Sequence, residues 1–153
     1  MLGLVSPAQA DDAARLVPAP EEVRIVERCV SAARTAADRR LCIGAVATPC
    51  QETPEGATTL GSGACLGREH RIWDGLLNAH YSAAAAAFGE EGRVYLKDAQ
   101  RAWLVFRDRA CEWPYKAYAG GSIAGPLAVE CLMTQTALRA LGLLELKETL
   151  EQR

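Results

Sequence analysis

The sequence lacks any block of basic residues and any long apolar run. Its 17 lysines and arginines are scattered among 19 aspartates and glutamates, and the formal net charge is −2. Nucleic acids and anionic membranes attract proteins through concentrated positive charge, so this distribution argues against both as partners. No apolar run approaches the roughly 18–20 residues that would span a bilayer, so the sequence predicts no transmembrane segment.

Large core side chains are scarce as well. Aromatic residues make up 6% of the chain, and alanine supplies much of the 50% that is hydrophobic. Because alanine buries little apolar area, we predict a shallow core within the single domain that 153 residues can build.

The sequence also has no Cys-x-x-Cys pair among its six cysteines. Its two histidines, His70 and His80, are ten residues apart and would point about 80° away from each other on a helix. We therefore expect no zinc site, and nothing in the chain predicts a cofactor. An even number of cysteines in a small chain indicates disulfides and an oxidising compartment.

The first ten residues, Met1–Ala10, read MLGLVSPAQA and end in the small-x-small pattern that signal peptidase cleaves. We expect this segment to be the remnant of a secretory signal whose true start lies upstream, because it has no basic region. An ordinary disordered tail is the alternative. Together with the cysteines, the segment favours export to the periplasm or the exterior.

Helical patterns account for the chain after a polar lead-in, and no stretch requires a strand. Pro20 is typical of the first turn of a helix, and residues 35–38 (Thr-Ala-Ala-Asp) resemble a capping box that opens a second short helix, which Pro49 must end. Three longer helices are expected farther along. They run from about Ala64 to Phe88, from about Leu96 to Pro114, and from Ile123 or Pro126, capped by Ser122, to about Leu150.

The predicted fold class is therefore all-α: a small disulfide-linked bundle of about five helices, with an N-terminal hairpin and three longer helices. The hairpin and a disulfide-closed loop occupy residues 11–64, and the longer helices occupy residues 65–153, as one compact unit. One stripe of the middle helix is predicted to face the core: Leu96, Ala99, Trp103, Phe106 and Ala110.

The cysteines bracket turns in three places. Cys29 and Cys42 lie on either side of the hairpin turn, and Cys50 and Cys65 stand at the two ends of the glycine-rich stretch 51–63. Cys111 and Cys131 lie on either side of the Gly-Gly-Ser turn at 120–122. Each bridge would contribute about 3 kcal/mol to a chain with so thin a core. The pairs expected are Cys29–Cys42, Cys50–Cys65 and Cys111–Cys131. The GSGACLG stretch at 61–67 does not match a phosphate-binding loop, since its spacing is wrong and no strand precedes it.

The longer helices carry motifs that resemble the lysozyme-inhibitor LprI-like family of secreted bacterial helical domains, over roughly residues 65–145. The residues that carry the resemblance are Trp73, Asp74, Leu77, Asn78, Tyr81, Leu96, Gln100, Arg101, Trp103, Phe106, Arg107, Asp108, Cys111, Gly120, Gly121, Ser122, Cys131, Thr136 and Arg139. The resemblance implies a periplasmic or envelope-exposed domain that works without a cofactor and whose named activity is inhibition of lysozyme. The N-terminal hairpin, with Cys29, Cys42 and Cys50, looks like an extension shared by a subset of such proteins. No cysteine beside the predicted cleavage site supports a lipid anchor.

Two readings of the charged motif residues are open. Asp74 and Asp108 could converge as a carboxylate pair for glycoside hydrolysis. Alternatively, Asp74 could tie two helices together through a partly buried ion pair with Arg101 or Arg107. We favour the structural reading, in which Asn78 and Tyr81 form a hydrogen-bonded pair beside the same seam, and we predict that the chain is not an enzyme.

The disulfide-closed loops are the candidate contact elements, because a closed loop loses less entropy on binding. Trp113, Tyr115 and Tyr118 are the candidate partner-binding residues, with packing against the end of the bundle as the alternative. One hypothesis is a secreted domain that binds and inhibits lysozyme or another peptidoglycan hydrolase. The other is a non-catalytic envelope scaffolding domain that binds a different protein or a glycan.

Overall fold

The computed structural model describes residues 15–153, so the predicted signal remnant at Met1–Ala10 lies outside the described residues. Within residues 15–153 the chain is helical and contains no strand, which confirms the all-α class. All six cysteines fall in this range, and they form the pairs Cys29–Cys42, Cys50–Cys65 and Cys111–Cys131, with Cα–Cα distances of 5.8, 5.7 and 5.5 Å.

The described residues form six helices: α1 (Pro20–Ala32), α2 (Ala36–Arg40), α3 (Ala47–Gln51), α4 (Thr59–Ala110), α5 (Trp113–Ala117) and α6 (Ala124–Glu151). Helix α4 is interrupted at Gly89, whose φ of 79° and ψ of −176° are not helical. A positive φ is strained for any residue with a Cβ, so glycine permits this sharp turn. It separates a first arm, residues 59–88, from a second arm, residues 90–110.

The two arms fold back on each other and pack against α6 as a three-helix bundle. Thr136 of α6 lies within hydrogen-bond distance of His70 on the first arm and Arg107 on the second, at 3.3 and 3.4 Å. The core of the bundle is formed by buried apolar side chains from all three helices, namely Leu66, Ile72, Trp73, Leu77, Leu96, Met133, Leu141 and Leu143.

Helix α6 has the length and apolar composition of a membrane span, with a mean hydropathy of 1.3 over 18 residues. The criterion rests on length and composition alone, which the central helix of a bundle also meets, so the absence of a transmembrane segment stays a prediction. The helix contacts both arms of α4 and buries Met133, Ala137 and Leu141 between them. We therefore interpret its apolar character as that of the central helix of a bundle.

The N-terminal hairpin forms with the predicted capping. Thr35 Oγ1 accepts a hydrogen bond from the backbone N–H of Asp38 at 3.0 Å, and the Asp38 carboxylate accepts one from the Thr35 N–H at 3.1 Å. Arg39 then donates two hydrogen bonds of 2.8 Å to Glu148 of α6. This bidentate pair ties the hairpin to the bundle, while the Cys29–Cys42 disulfide joins the two sides of the hairpin itself.

Three predicted boundaries are wrong. Helix α2 already ends at Arg40, ahead of a turn in which Gly44 has a φ of 97°, and Pro49 lies inside α3 at a first-turn position where its missing N–H costs little. Pro114 does not end a helix but lies in the first turn of α5. Helix α6 has Ile123 at its N-cap without a side-chain bond, so Ser122 is not its cap.

The start of the first arm is also earlier than expected. The helix begins at Thr59 instead of Ala64, because Thr58 Oγ1 accepts a hydrogen bond from the backbone N–H of Gly61 and caps it. The predicted loop at 51–63 is therefore helical over its last five residues, and the irregular part is short.

The predicted core stripe of the second arm is wrong at one position. Leu96 is buried and Trp103 is partly buried, but the Phe106 ring is 57% exposed. The next residue, Arg107, turns inward instead, since its guanidinium stacks on Trp103 and bonds Thr136. Arg107 therefore occupies the buried side of the arm in place of its neighbour Phe106, which faces outward.

Candidate functional site

The first disulfide-closed loop contains two consecutive threonine turns. Thr53 Oγ1 accepts a hydrogen bond from the Gly56 N–H at 3.0 Å and donates one to the Cys50 carbonyl at 2.8 Å. Thr58 repeats the first of these bonds with Gly61. A Cβ at Gly56 would collide with the Cys50 carbonyl, so only glycine fits the turn. The Thr-x-x-Gly spacing thus gives the loop a defined shape.

The second disulfide-closed loop contains α5 and a glycine turn. Pro114 is buried against the bundle, and Gly120 adopts a φ of 76° where the chain reverses toward α6. The disulfide between Cys111 and Cys131 holds the two ends of the loop together. A single turn of helix is thereby fixed at the end of the bundle.

The three aromatic side chains of this second loop point outward. Trp113, Tyr115 and Tyr118 are 49%, 55% and 47% exposed. The ring centroids of Trp113 and Tyr118 are 6.3 Å apart, so each ring supports the other. The sequence left two roles open for these rings, which were binding a partner or packing against the end of the bundle. In the structure all three rings are exposed.

The two disulfide-closed loops meet along a cleft of about 980 Å³. Its lining is mainly apolar. It comes from the N-terminal segment, the first loop, the start of α6 and one aromatic of the second loop. The apolar lining includes Leu16, Leu60, the Cys50–Cys65 disulfide, Tyr115, Pro126 and Val129. Trp113 and Tyr118 are not part of the lining. Patterns along the chain predicted the two loops separately but not their contact.

Arg68 closes one side of this cleft. Its Nε donates to the Glu22 carboxylate at 3.0 Å, its Nη1 to the carbonyl of Arg15 at 3.3 Å, and its Nη2 to Sγ of Cys50 at 2.9 Å. A single guanidinium therefore joins the N-terminal segment, α1 and the first disulfide. No pattern in the sequence predicted this role for Arg68, because its three partners are 18 to 53 residues away along the chain.

A second set of functional candidates, the family-motif residues, lies in or near a seam between the two arms and α6. Trp73 is completely buried, and its Nε1 donates to the Glu69 carboxylate at 2.9 Å. Glu69 is also completely buried and accepts backbone N–H groups of Gly44, Val46 and Ala47 at 2.6 to 2.9 Å. The carboxylate thus holds the start of α3 on the first arm. The sequence offered no signal for it beyond a charged residue on a helix.

Trp103 forms the next layer of the seam between two arginines. The guanidinium carbons of Arg107 and Arg139 lie 5.2 and 5.9 Å from its ring centroid, within the range of cation–π contacts. Arg139 Nε also donates to Gln100 at 2.9 Å. Burial lowers the pKa of Arg139 below its ordinary value. Trp103, Gln100 and both arginines therefore join the second arm to α6.

His70 lies beside this stack. Its Nε2 is 3.3 Å from Oγ1 of Thr136, a completely buried hydroxyl. Burial lowers the pKa of His70 below its ordinary value of 6.5, and the positive charge of Arg107 lowers it further, while Asp74 and Asp108 act in the opposite direction. The neutral imidazole is the form that the seam favours.

The predicted ion pairs and hydrogen bonds of the exposed motif residues are wrong. Among the described residues Asp74 forms no ion pair with an arginine; it is exposed and accepts a 3.5 Å hydrogen bond from Asn78. Asn78 bonds Asp74 and not Tyr81, whose ring is partly buried against the core. Arg107 pairs with its neighbour Asp108 at 2.7 Å instead. Because Arg107 and Asp108 are neighbours on one helix, the guanidinium reaches the Asp108 carboxylate without spanning the gap between two helices.

Arg101 likewise points away from the seam. It lies 3.9 Å from Asp98 on the exposed side of its own arm. The seam is therefore built from the tryptophans, Arg107 and Arg139, while Asp74, Asn78, Arg101 and Asp108 stay at its exposed edge or outside it.

The fold and these sites describe a disulfide-linked helical protein whose polar interior is structural and whose aromatic loops face outward. The model of the family described as lysozyme inhibitor LprI matches residues 50–143. The chain belongs to this family. The match begins at Cys50, so the first disulfide-closed loop is part of the family region, contrary to the sequence prediction that placed Cys50 in an extension.

The chain is also similar to an uncharacterized protein of Rhizobium meliloti (strain 1021). The two are 32% identical over 136 residues, which covers 78% of this chain and 98% of the relative. No solved structure matches the chain.

Proposed function

We propose that this protein is an extracytoplasmic, non-catalytic inhibitor of a lysozyme-type peptidoglycan hydrolase, and that it binds the hydrolase through the loop end of its bundle. We define the loop end as the two disulfide-closed loops, residues 51–63 and 112–125. The observation that carries the proposal is the exposure of Trp113, Tyr115 and Tyr118 beside the cleft in a member of the lysozyme inhibitor LprI family.

The loop end has the properties of a binding surface. Large aromatic side chains with few rotatable bonds supply contact area at low entropic cost, and interface hot spots are rich in tryptophan and tyrosine. Both loops are closed by disulfides, so little further ordering is needed on binding. The net charge of −2 adds a weak attraction toward lysozymes, which are generally basic.

Catalysis is less well supported than binding. Asp74 and Asp108, the pair considered for glycoside hydrolysis, are both exposed, and neither lines the cleft between the loops. A glycosidase requires its two carboxylates to converge on a bound sugar.

An exported location agrees with the covalent structure. The three disulfides join all six cysteines, and such bridges persist in the periplasm or outside the cell. We therefore place the proposed inhibitor where it would meet a hydrolase that attacks the envelope.

The test is an assay of cell-wall lysis by lysozyme in the presence of the oxidised protein. We expect lysis to slow as the protein is added, and the triple variant Trp113→Ala/Tyr115→Ala/Tyr118→Ala to weaken inhibition about a hundredfold. Leu41→Ala, which truncates a side chain that is 81% exposed and distant from the loops, is the matched control and should inhibit like the parent protein.

Unchanged lysis at a large molar excess of the parent protein would exclude the inhibitor function. If the protein then bound isolated peptidoglycan, or an envelope protein, the scaffolding alternative would replace it. Full inhibition by the triple variant would keep the function but move the binding surface away from the loop end.

A further inference from the structure

The second arm of α4 has an apolar surface that faces away from the bundle. Val94, Tyr95, Val105 and Phe106 are 57% to 67% exposed, and no described residue covers them. With their charged neighbours they fall within an arc of about 140° on the helix. We call this arc the outer face; it consists of Glu91, Val94, Tyr95, Asp98, Arg101, Ala102, Val105, Phe106 and Arg109.

A helix in a small protein normally turns its apolar stripe toward the core and its charges outward. The second arm has a polar contact, Arg107 with Thr136, on the core side and apolar residues on the outside. A contiguous exposed apolar surface with a charged border is typical of a protein contact site.

The order of residues on the outer face is symmetric about the middle of the arm, at Gln100. Glu91 precedes this point by nine residues and Arg109 follows it by nine. Val94 and Val105 are equidistant from it within one residue. They lie on one flank of the face, because eleven residues make just over three complete turns.

The other flank repeats the pattern with aromatic side chains. Tyr95 and Phe106 are also equidistant from Gln100 within one residue, and they are also eleven residues apart. The Phe88 ring meets the Tyr95 ring edge-on at 6.2 Å and holds it in place. When a second arm lies antiparallel on the first, each flank therefore meets the same flank of the other copy, valine against valine and aromatic ring against aromatic ring.

We propose that a second copy of this chain binds the outer face, with the two second arms antiparallel. The twofold axis crosses the outer face at the height of Gln100, whose own side chain bonds Arg139 on the core side. In that arrangement Val94 meets the partner's Val105, and Tyr95 meets the partner's Phe106. A twofold interface presents the same surface from both copies, so every such contact occurs twice.

Charge complementarity selects a second copy over an unrelated partner. The antiparallel arrangement sets Glu91 against the partner's Arg109 and Asp98 against the partner's Arg101. Within one chain, Asp98 and Arg101 are 3.9 Å apart, and Arg109 lies 3.3 Å from Glu112. These exposed contacts are weak and are easily exchanged for contacts across the interface.

The dimer is compatible with the proposed inhibitor function without depending on it. Because the second arms are antiparallel and loop 112–125 follows each of them, the two loop ends lie at opposite ends of the assembly. Both copies keep Trp113 and Tyr115 free for a partner.

The first experiment is sedimentation equilibrium of the full oxidised chain at concentrations up to about 0.5 mM. We expect a monomer–dimer equilibrium in the parent protein and in the control Leu41→Glu, and only monomer in Phe106→Glu. Circular dichroism checks that Phe106→Glu keeps its helix content. A parent protein that is monomeric throughout, or a Phe106→Glu variant that still forms dimers, overturns the proposal.

Charge reversal tests the direction of pairing. Glu91→Arg alone and Arg109→Glu alone should each weaken dimerisation about tenfold, since each places like charges together twice. The double variant Glu91→Arg/Arg109→Glu should regain the parent affinity. If the double variant is as weak as the single variants, the antiparallel arrangement is wrong.

Discussion

The buried seam and the loop end of the bundle use similar side chains in opposite ways. In the seam, Trp73 is completely buried and donates its indole N–H to Glu69. At the loop end, Trp113 is about half exposed and contacts Tyr118. A tryptophan in the seam contributes to packing, whereas a tryptophan at the loop end offers contact area to a partner.

The comparison separates two kinds of residue in the same protein. Substitutions in the seam should lower stability while the folded molecules that remain still inhibit. Substitutions at the loop end should lower inhibition while stability is kept. If the same substitutions lowered both stability and inhibition, the seam and the loop end would not have separate roles.

The largest stability change is expected at Glu69. Glu69→Ala leaves three backbone N–H groups and the Trp73 indole buried without an acceptor, so the free energy of unfolding should fall by about 3–5 kcal/mol. The exposed Glu27→Ala is the control and should change it by less than about 0.5 kcal/mol. Guanidinium unfolding followed by tryptophan fluorescence measures both. A loss at Glu69 as small as that at Glu27 would contradict the structural role of the seam.

Removal of single disulfides sharpens the comparison further. The pairs Cys50–Cys65 and Cys29–Cys42 span 15 and 13 residues, so replacing either pair by serine should cost about 3 kcal/mol. Inhibition of lysozyme should fall only without Cys50–Cys65, which shapes the loop end. Equal inhibition by the two double variants, assayed at a temperature where both are folded, would separate the first loop from the binding surface.

The arginine stack should give an intermediate effect. Arg139→Met removes the hydrogen bond to Gln100 and one cation–π contact with Trp103, and should lower the free energy of unfolding by about 1–2 kcal/mol. Arg101→Met, at an exposed position of the second arm, should have no measurable effect on thermal unfolding. Equal shifts in the two melting curves would show that the stack contributes nothing specific.

The smallest effect is a pH dependence due to His70. Its pKa is lowered in the folded protein, so the unfolded chain binds the proton first as the pH falls. Stability from this group is complete above its ordinary pKa of 6.5 and declines as the pH falls from 6.5 toward the lowered value. Arg39 lowers the pKa of Glu148 from 4.5, so that contribution is lost only below 4.5.

Urea unfolding at about pH 7.5 and pH 5.5 isolates the contribution of His70, because the carboxylate titrates below this window. His70→Gln should remove the decline between the two values. A decline that persists unchanged in His70→Gln would assign the pH dependence to another group.

The helical class and the loops were predictable because they depend on local rules. Thr35 and Asp38 form a capping box through bonds within four residues of chain. Gly89 interrupts the helix because glycine tolerates a positive φ. The cysteine pairs follow from positions at the ends of short turns. The polar contacts were not predictable, since Arg107 could reach Asp74, Asp108 or Thr136, and only the packing of the arms decides among them.

The candidate site was predicted in part for the same reason. The exposed aromatics lie on one short segment between Cys111 and Cys131, so the sequence could identify them. The cleft, in contrast, requires Leu60, Tyr115 and Val129 to meet from three separate elements, and no pattern along the chain encodes that meeting.

The most direct test of the central idea, that the loop end is the contact surface, is hydrogen–deuterium exchange of the protein with and without lysozyme. The account predicts slower exchange in residues 113–118 and 53–60 on complex formation, with no change in the seam around Trp73 and Trp103. Slower exchange confined to the second arm, with residues 113–118 unaffected, would contradict it.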